Sequence, residues 1–323
     1  MERLDAFMAR ATAAYYGQGA GIGADFTTAP EMSQAFGECL GLWCAVTWEA
    51  MGRPARVIWA EAGPGRGTLM QDALRAARQM APAFAQAAEI HLVETSPVLR
   101  AMQKGRLGAA VAAWHDRLEE LPEAPTLLLG NEFLDALPIR QLIRRGGAWR
   151  ERWVAGGAFA EQPTELDPGP APEGEVREVA EAAQAVAAWC ARRVARHGGA
   201  ALFLDYGPAE SGPGDSLQAM QAGRRAEPLA PPGSVDLTAH VDFAALSRAA
   251  AGARVHGPIP QGVFLARLGL NARSAMLARA EPSHARAILS AAQRLLLPES
   301  MGRLFKAICI AHPALPVPEG FRD

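Results

Sequence analysis

The segment Glu61-Ala62-Gly63-Pro64-Gly65-Arg66-Gly67-Thr68 sets glycines at alternate positions behind a carboxylate. Glycine has no Cβ to hold a ligand away from the backbone, and it reaches positive φ without steric penalty. The helix-like stretch from Leu69 to Met80 would then point unpaired N–H groups at a bound molecule. The leading acid, Glu61, argues against a phosphate and for a ligand carrying a positive charge or hydroxyls. More polar clusters follow apolar runs downstream. Ile90-His91-Leu92-Val93 ends at Glu94-Thr95-Ser96, and Val111-Ala112-Ala113-Trp114 ends at His115-Asp116. Thr126-Leu127-Leu128-Leu129-Gly130 ends at Asn131-Glu132-Phe133-Leu134-Asp135, and Ala200 to Leu204 ends at Asp205. A carboxylate at a second strand tip, here Glu94, suits ribose hydroxyls.

The elements that must position these groups follow from the same pattern. Apolar runs of strand length alternate with helical stretches, which predicts a parallel sheet with helices on its faces. Ligands of such sheets sit at the carboxyl ends of the strands, where all of these clusters fall. The glycine loop has three readings. A phosphate-binding loop ends in Gly-Lys-Ser/Thr, and no lysine follows Gly67. A nicotinamide loop is spaced G-x-G-x-x-G, whereas this one is G-x-G-x-G. The E-x-G-x-G-x-G form looks like the first motif of S-adenosylmethionine methyltransferases, with a plain structural glycine turn as the bland alternative.

Further segments narrow the choice. They are Tyr15-Tyr16-Gly17, Asp25-Phe26-Thr27-Thr28-Ala29-Pro30-Glu31, Asn131-Glu132-Phe133-Leu134-Asp135-Ala136-Leu137-Pro138, Asp205-Tyr206-Gly207 and Thr238-Ala239-His240-Val241-Asp242-Phe243. With the glycine loop they resemble the MidA-like family of S-adenosylmethionine-dependent methyltransferases, which includes the mitochondrial complex I assembly-factor arginine methyltransferase. The resemblance runs nearly end to end. It implies an α/β fold with a Rossmann-like class I methyltransferase sheet, N-terminal helices and an inserted hairpin and helical substrate lobe. It implies S-adenosylmethionine as the cofactor. Glu61, Gly63, Gly65, Gly67 and Thr68 would surround its methionine moiety, with Asn131 close by. Glu94 and Thr95 would hold the ribose and Asp116 the adenine amino group. Asp25, Phe26, Thr27 and Thr28 would close over the site from the N-terminal side.

The resemblance also implies arginine methylation on a respiratory complex I subunit. A guanidinium is always protonated when free. Two carboxylates can fork-bind it and leave one terminal nitrogen directed at the methyl. Glu132 and Asp135 are the candidate clamp; the plainer reading has Glu132 capping the following helix and Asp135 solvated. Asp205, Tyr206, His240 and Asp242 are the second candidates, Asp205 at the same rim and His240 to orient a carboxylate or accept a proton, or merely to cap a helix. A small-molecule methyltransferase and a non-catalytic S-adenosylmethionine-binding assembly factor remain alternatives.

The 323 residues suffice for one large core or a core with a second lobe. Lys+Arg 32 against Asp+Glu 34 leaves −2, so there is no electrostatic footprint for nucleic acid. No apolar run approaches the ~18 residues that span a bilayer. The start, Met1-Glu2-Arg3-Leu4-Asp5, lacks the hydrophobic core of a secretory signal and the character of a transit peptide. The expectation is a cytoplasmic protein of bacterial type acting on a protein client, with a homodimer open and no membrane insertion. Cys39, Cys44, Cys190 and Cys309 form no C-x-x-C pair, so no metal is expected and they read as buried hydrophobes.

Punctuation divides the chain into 1–52 (helical segment and cofactor-covering loop), 53–138 (Rossmann-like core), 139–199 (inserted hairpin and helix) and 200–323 (the rest of the sheet with further helices). Thr28-x-x-Glu31 fits a capping box. Met32, Phe36, Leu40, Trp43 and Val46 recur at helical spacing as a core stripe. A hairpin is expected around Gly146-Gly147, a long helix over 174–196, a long loop over 207–234, and a last strand from Leu304 to Ala311.

Overall fold

The apolar runs pair side by side into one sheet. In chain order its strands are β1 (Val57–Ala62), β2 (Ala88–Val93), β3 (Val111–His115), β4 (Thr126–Asn131), β5 (Gly199–Tyr206), β6 (Arg254–Pro260) and β7 (Phe305–Ala311). Their spatial order is β6-β7-β5-β4-β1-β2-β3. The structure is a computed structural model that describes residues 1–18 and 27–322; Asp25 and Phe26 lie outside the described residues. β1 to β5 run parallel, and β7 is antiparallel to both of its neighbours, β5 and β6. This is the expected α/β methyltransferase-type sheet. The final strand is not at the edge; it is inserted between β5 and β6.

β1 and β4 are buried along their whole length, as parallel strands covered on both faces must be. Their residues alternate between two cores. Val57 and Trp59 pack with Phe36, Leu40 and Trp43 on one face. Ile58 and Ala60 pack with Phe203, Ala187 and Cys190 on the other. The helices Gln34–Ala50 and Thr68–Met80 cover the first face, and Glu181–His197 and Phe243–Ala249 cover the second. All four cysteines are buried, as expected.

The register levels the strand tips. Ala62 of β1 stands beside Val93 of β2 and Gly130 of β4, and Asn131 of β4 beside Leu204 of β5. The loops after these strands therefore meet at one rim. Gly63, Gly65 and Gly67 have φ of 63°, 51° and 78°, so the turn is left-handed at each glycine. Gly67 then opens the helix Thr68–Met80.

Several expectations are corrected. The capping box does not form, because Thr28 makes no side-chain cap bond and the helix Ala29–Met32 breaks at Ser33 before Gln34–Ala50 begins. Val46 is 44% exposed, one residue too far round the helix to join the stripe. The helix expected from 174 starts at Glu181, since Val176–Val179 is taken into a second sheet. That sheet includes Arg140–Arg145 and Ala148–Ala155, joined through Gly146 and Gly147 at φ of 58° and 77°, the hairpin the sequence predicts. The 207–234 region is not all loop: Gln218–Gln221 pairs with Arg224–Ala226 and with Asp236–Thr238.

Candidate active site

A cavity of about 390 Å³ opens at the carboxyl ends of β1 to β4. That volume lies within the ~300–1,000 Å³ of small-molecule sites. Its wall includes Glu61, Gly63, Gly65 and Thr68 from the glycine loop, Glu94 and Thr95 from the tip of β2, and Asp116 from the tip of β3. Asn131 and Glu132 from β4 and Thr28 from the N-terminal segment complete the expected set. Gly67 lies just off the wall as the helix N-cap, and Thr27 is exposed.

Four buried side-chain atoms in this wall have no hydrogen-bond partner: the oxygens Thr12 Oγ1, Glu61 Oε2 and Asn131 Oδ1, and the donor Arg66 Nε. Burial pushes the Glu61 carboxyl up to about 8; the Met70 N–H opposes the rise and the Glu94 charge adds to it. An acid in that state takes a cation or a hydroxyl as its missing partner.

Glu94 is held at both oxygens. Oε1 accepts from the Ser96 backbone N–H at 2.8 Å and Oε2 from Gln103 Nε2 at 3.3 Å. Its carboxyl is raised by burial, against those two bonds. Asp116 is 67% exposed at its side chain and pairs with Arg100 at 2.7 Å, so one of its oxygens is already engaged. His115 stands against His91, Nδ1 of His91 lying 2.8 Å from Nε2 of His115.

The N-terminal segment is fastened to three of these loops. Ser96 Oγ donates to the Tyr16 carbonyl at 2.7 Å. The Ala29 N–H donates to Glu132 Oε1 at 3.0 Å. Glu31 accepts from Thr68 Oγ1 and, at 2.8 Å, from Arg66. The glutamate expected to cap a helix therefore ties that segment to the glycine loop.

The acids at the tips of β4 and β5 form one group, with Asp135 and Asp205 buried and Glu132 half-buried at the cavity. Glu132 adopts φ of 50°, which turns the chain sharply after Asn131. Burial raises its carboxyl, opposed by the bonds from Ala29 and Asn131. Glu132 caps no following helix; its N-terminal partner is the short helix Ala29–Met32. Asp135 is buried rather than solvated, and its Oδ1 has no partner. Burial, then the charges of Asp205 and Glu132, hold its carboxyl well above the usual range. Among the described residues no salt bridge reaches Glu132 or Asp135.

The second candidates lie further from the cavity. Asp205 Oδ2 accepts from the N–H groups of Phe133, Leu134 and Asp135 at 3.1, 2.8 and 3.3 Å, and Oδ1 accepts from Tyr206 N–H at 2.9 Å. It thus shapes the Glu132–Asp135 turn from beneath, and burial pushes its carboxyl up to about 7. His240 is exposed, edge-on to Tyr206 at 5.5 Å, and does not line the cavity. Asp242 accepts from the Ala245 N–H and caps the helix Phe243–Ala249. Asp135, Asp205 and His240 are therefore not on the cavity wall, whereas Glu132 is.

Two side chains to which the sequence assigns no role complete the site. Tyr16 lines the cavity and donates to Asp236 at 3.0 Å. Gln103 joins Glu94 to the glycine loop through the Gly65 carbonyl. Tyr16 stands in the Tyr15-Tyr16-Gly17 segment, whose residue types name no partner for it, and Gln103 stands in no motif.

A glycine loop, a ribose-type acid and a strand order with β7 reversed define a nucleoside-cofactor transferase. Residues 39–259 match the family model described as "S-adenosyl-L-methionine-dependent methyltransferase". The Drosophila melanogaster protein named protein arginine methyltransferase NDUFAF7 homolog, mitochondrial, is 34% identical, over 88% of this chain and 74% of its own. The human protein arginine methyltransferase NDUFAF7, mitochondrial, is 32% identical, over 87% and 72%. A Burkholderia thailandensis structure bound to S-adenosyl-homocysteine superposes with a TM-score of 0.84 at 28% identity, covering 99% of this chain and 90% of that one. The chain belongs to this family of S-adenosylmethionine-dependent methyltransferases.

S-adenosylmethionine is thus its cofactor, and the orphaned oxygens and glycine cradle fit it. When bound, it supplies a methyl already activated by its sulfonium. The expectation of a cytoplasmic protein is overturned, because these relatives are named as mitochondrial. Among the described residues no helix is long and apolar enough to cross a membrane.

Proposed function

We propose that the protein methylates an arginine side chain of a protein client, and that Glu132 and Asp135 receive the guanidinium. The observation that carries this reading is a pair of carboxylates at the cofactor cavity, half-buried Glu132 on its wall and buried Asp135 behind, with Asp135 Oδ1 unpartnered. Buried acids without a cation are costly, and a guanidinium returns the missing donors in a planar fork. Glu132 stands at the wall and meets the acceptor first. Asp135 lies behind it; the arriving guanidinium counters the effect that raises its carboxyl, favouring the carboxylate and making Oδ1 an acceptor for the proton that the acceptor nitrogen sheds. The Asp205 bonds fix the turn that carries both acids. With the methyl already activated, the protein's part is to orient the reacting groups. The names of the relatives support the arginine reading.

The client implied by the family resemblance is a subunit of respiratory complex I, and a homodimer belongs to the same reading. Glu31, Glu61, Glu94 and the glycines hold the cofactor, and Glu132 and Asp135 the acceptor. The test is Glu132→Gln beside Asp135→Asn, with methylarginine measured by mass spectrometry in client-containing extract and S-adenosylmethionine binding measured in parallel. Loss of methylarginine with binding retained is expected. Methylation by Glu132→Gln at the wild-type rate overturns the assignment. Sedimentation velocity decides the homodimer.

A further inference from the structure

Gln103 lies on the helix Pro97–Leu107, is completely buried, and makes a hydrogen bond in three directions. Its Nε2 donates to the Gly65 carbonyl at 2.7 Å and to Glu94 Oε2 at 3.3 Å. Its Oε1 accepts from Trp114 Nε1 at 2.9 Å. The indole N–H is a donor only. It therefore fixes which end of the amide is oxygen, and forces the NH₂ toward the glycine loop and the β2 acid. The aliphatic stem also supports the loop: a Cβ on Gly67 would lie 3.4 Å from Gln103 Cγ.

We infer that Gln103 is a positioning residue for ribose recognition, setting the Glu94 carboxylate and the glycine loop in one fixed relation through the Trp114-locked amide. A carboxylate offers about four lone-pair directions. Ser96 N–H and Gln103 Nε2 take one on each Glu94 oxygen, which leaves one on each for the two hydroxyls of a ribose. The same amide bond to Gly65 keeps the glycine turn at the distance that a ribose and its attached methionine chain require. Gln103 does not line the cavity, so it acts through Glu94 and Gly65 and touches no ligand itself.

The bond from Gln103 also helps hold Glu94 as an acceptor. Burial raises that carboxyl, and Ser96 and Gln103 are first among the groups opposing the rise. Without the amide, the acid takes up a proton more readily and one of the hydroxyl acceptors is lost as pH falls.

The test uses Gln103→Met, which keeps the length of the side chain, and Trp114→Phe, which leaves Gln103 but frees its amide to turn. S-adenosyl-homocysteine and its 2′,3′-dideoxy analogue are titrated calorimetrically into each variant and the wild type, at pH 6 and pH 8. Wild type should prefer the natural ribose strongly. In Gln103→Met the natural ligand should bind about 10- to 100-fold more weakly, the worth of a hydrogen bond to a charged group. The dideoxy analogue should lose far less, so that discrimination collapses. The loss should be greater at pH 6 than at pH 8. Trp114→Phe should lose discrimination in part while folding normally, which keeps the test decisive if Gln103→Met is unstable.

Equal weakening of both ligands, or discrimination kept in Trp114→Phe, would show a merely structural role and overturn the inference. Failure of the wild type to bind S-adenosyl-homocysteine would instead strike at the cofactor assignment itself.

Discussion

Glu61→Gln isolates the cost of keeping an acid buried for a ligand. The Glu61 carboxyl rises from 4.5 to about 8 because the folded chain removes it from water. A rise of that size corresponds to on the order of 5 kcal/mol between the two protonation states. The sign follows from linkage. The folded state holds the proton over a range where the unfolded chain has released it, so stability is highest below pH 4.5 and declines until pH passes about 8. Glutamine cannot ionise and is exempt from that decline, and its amide oxygen can still accept from Met70. Urea unfolding followed by tryptophan fluorescence, at pH 5 and pH 8, gives the stability of each protein. Taking the difference between variant and wild type cancels the other titrating groups.

The ligand-free variant should gain on wild type between pH 5 and pH 8, by more than ~1 kcal/mol and up to the full cost. S-adenosylmethionine should bind the variant about 10- to 100-fold more weakly, because a charge-assisted partner is gone. A variant that tracks wild type across the whole pH range would refute the claim that this acid is held uncompensated.

Glu31→Ala cuts the ties to Thr68 and Arg66, and should weaken S-adenosylmethionine binding about fivefold in a calorimetric titration, the scale of a partly exposed ion pair. Gly63→Ala meets a φ of 63° and the Phe133 ring at 2.9 Å, and should lower stability by about 1–2 kcal/mol, read by thermal melting. Asp205→Ala strips the acceptor from four backbone N–H groups, so a loss of about 3 kcal/mol or more is expected in urea unfolding. A loss in Asp205→Ala below 1 kcal/mol would mean that the turn holds itself.

Much of this was legible because the signal is local. A glycine turn between a strand and a helix carries its own geometry, and alternating strands and helices place every strand-tip acid at one rim. Glu61, Glu94, Asn131 and Glu132 could therefore be named from the sequence, and the fold gathers them on one cavity wall. Contacts between distant segments left no such mark. Gln103 lies 38 residues from Gly65, and Glu31 lies 37 from Thr68, so only the folded chain shows that they meet. Glu31 looked like a cap because its spacing from Thr28 satisfies the pattern; a stronger pair of donors across the cavity claimed it. For Asp135 the sequence offered a clamp or, more plainly, a solvated acid; its burial could not be read locally, because the turn that carries it is bonded to Asp205, 70 residues away. The insertion of β7 between β5 and β6 is a long-range pairing that a strand's composition cannot specify.

The most direct measurement is a calorimetric titration of the wild type with S-adenosylmethionine beside Gly65→Val. Gly65 has a φ of 51°, and a β-branched side chain there both strains the turn and intrudes on the cavity it lines. Saturable one-site binding by the wild type, abolished in a folded Gly65→Val, is the predicted result. No binding by folded wild type, or equal binding by the two proteins, would contradict the account.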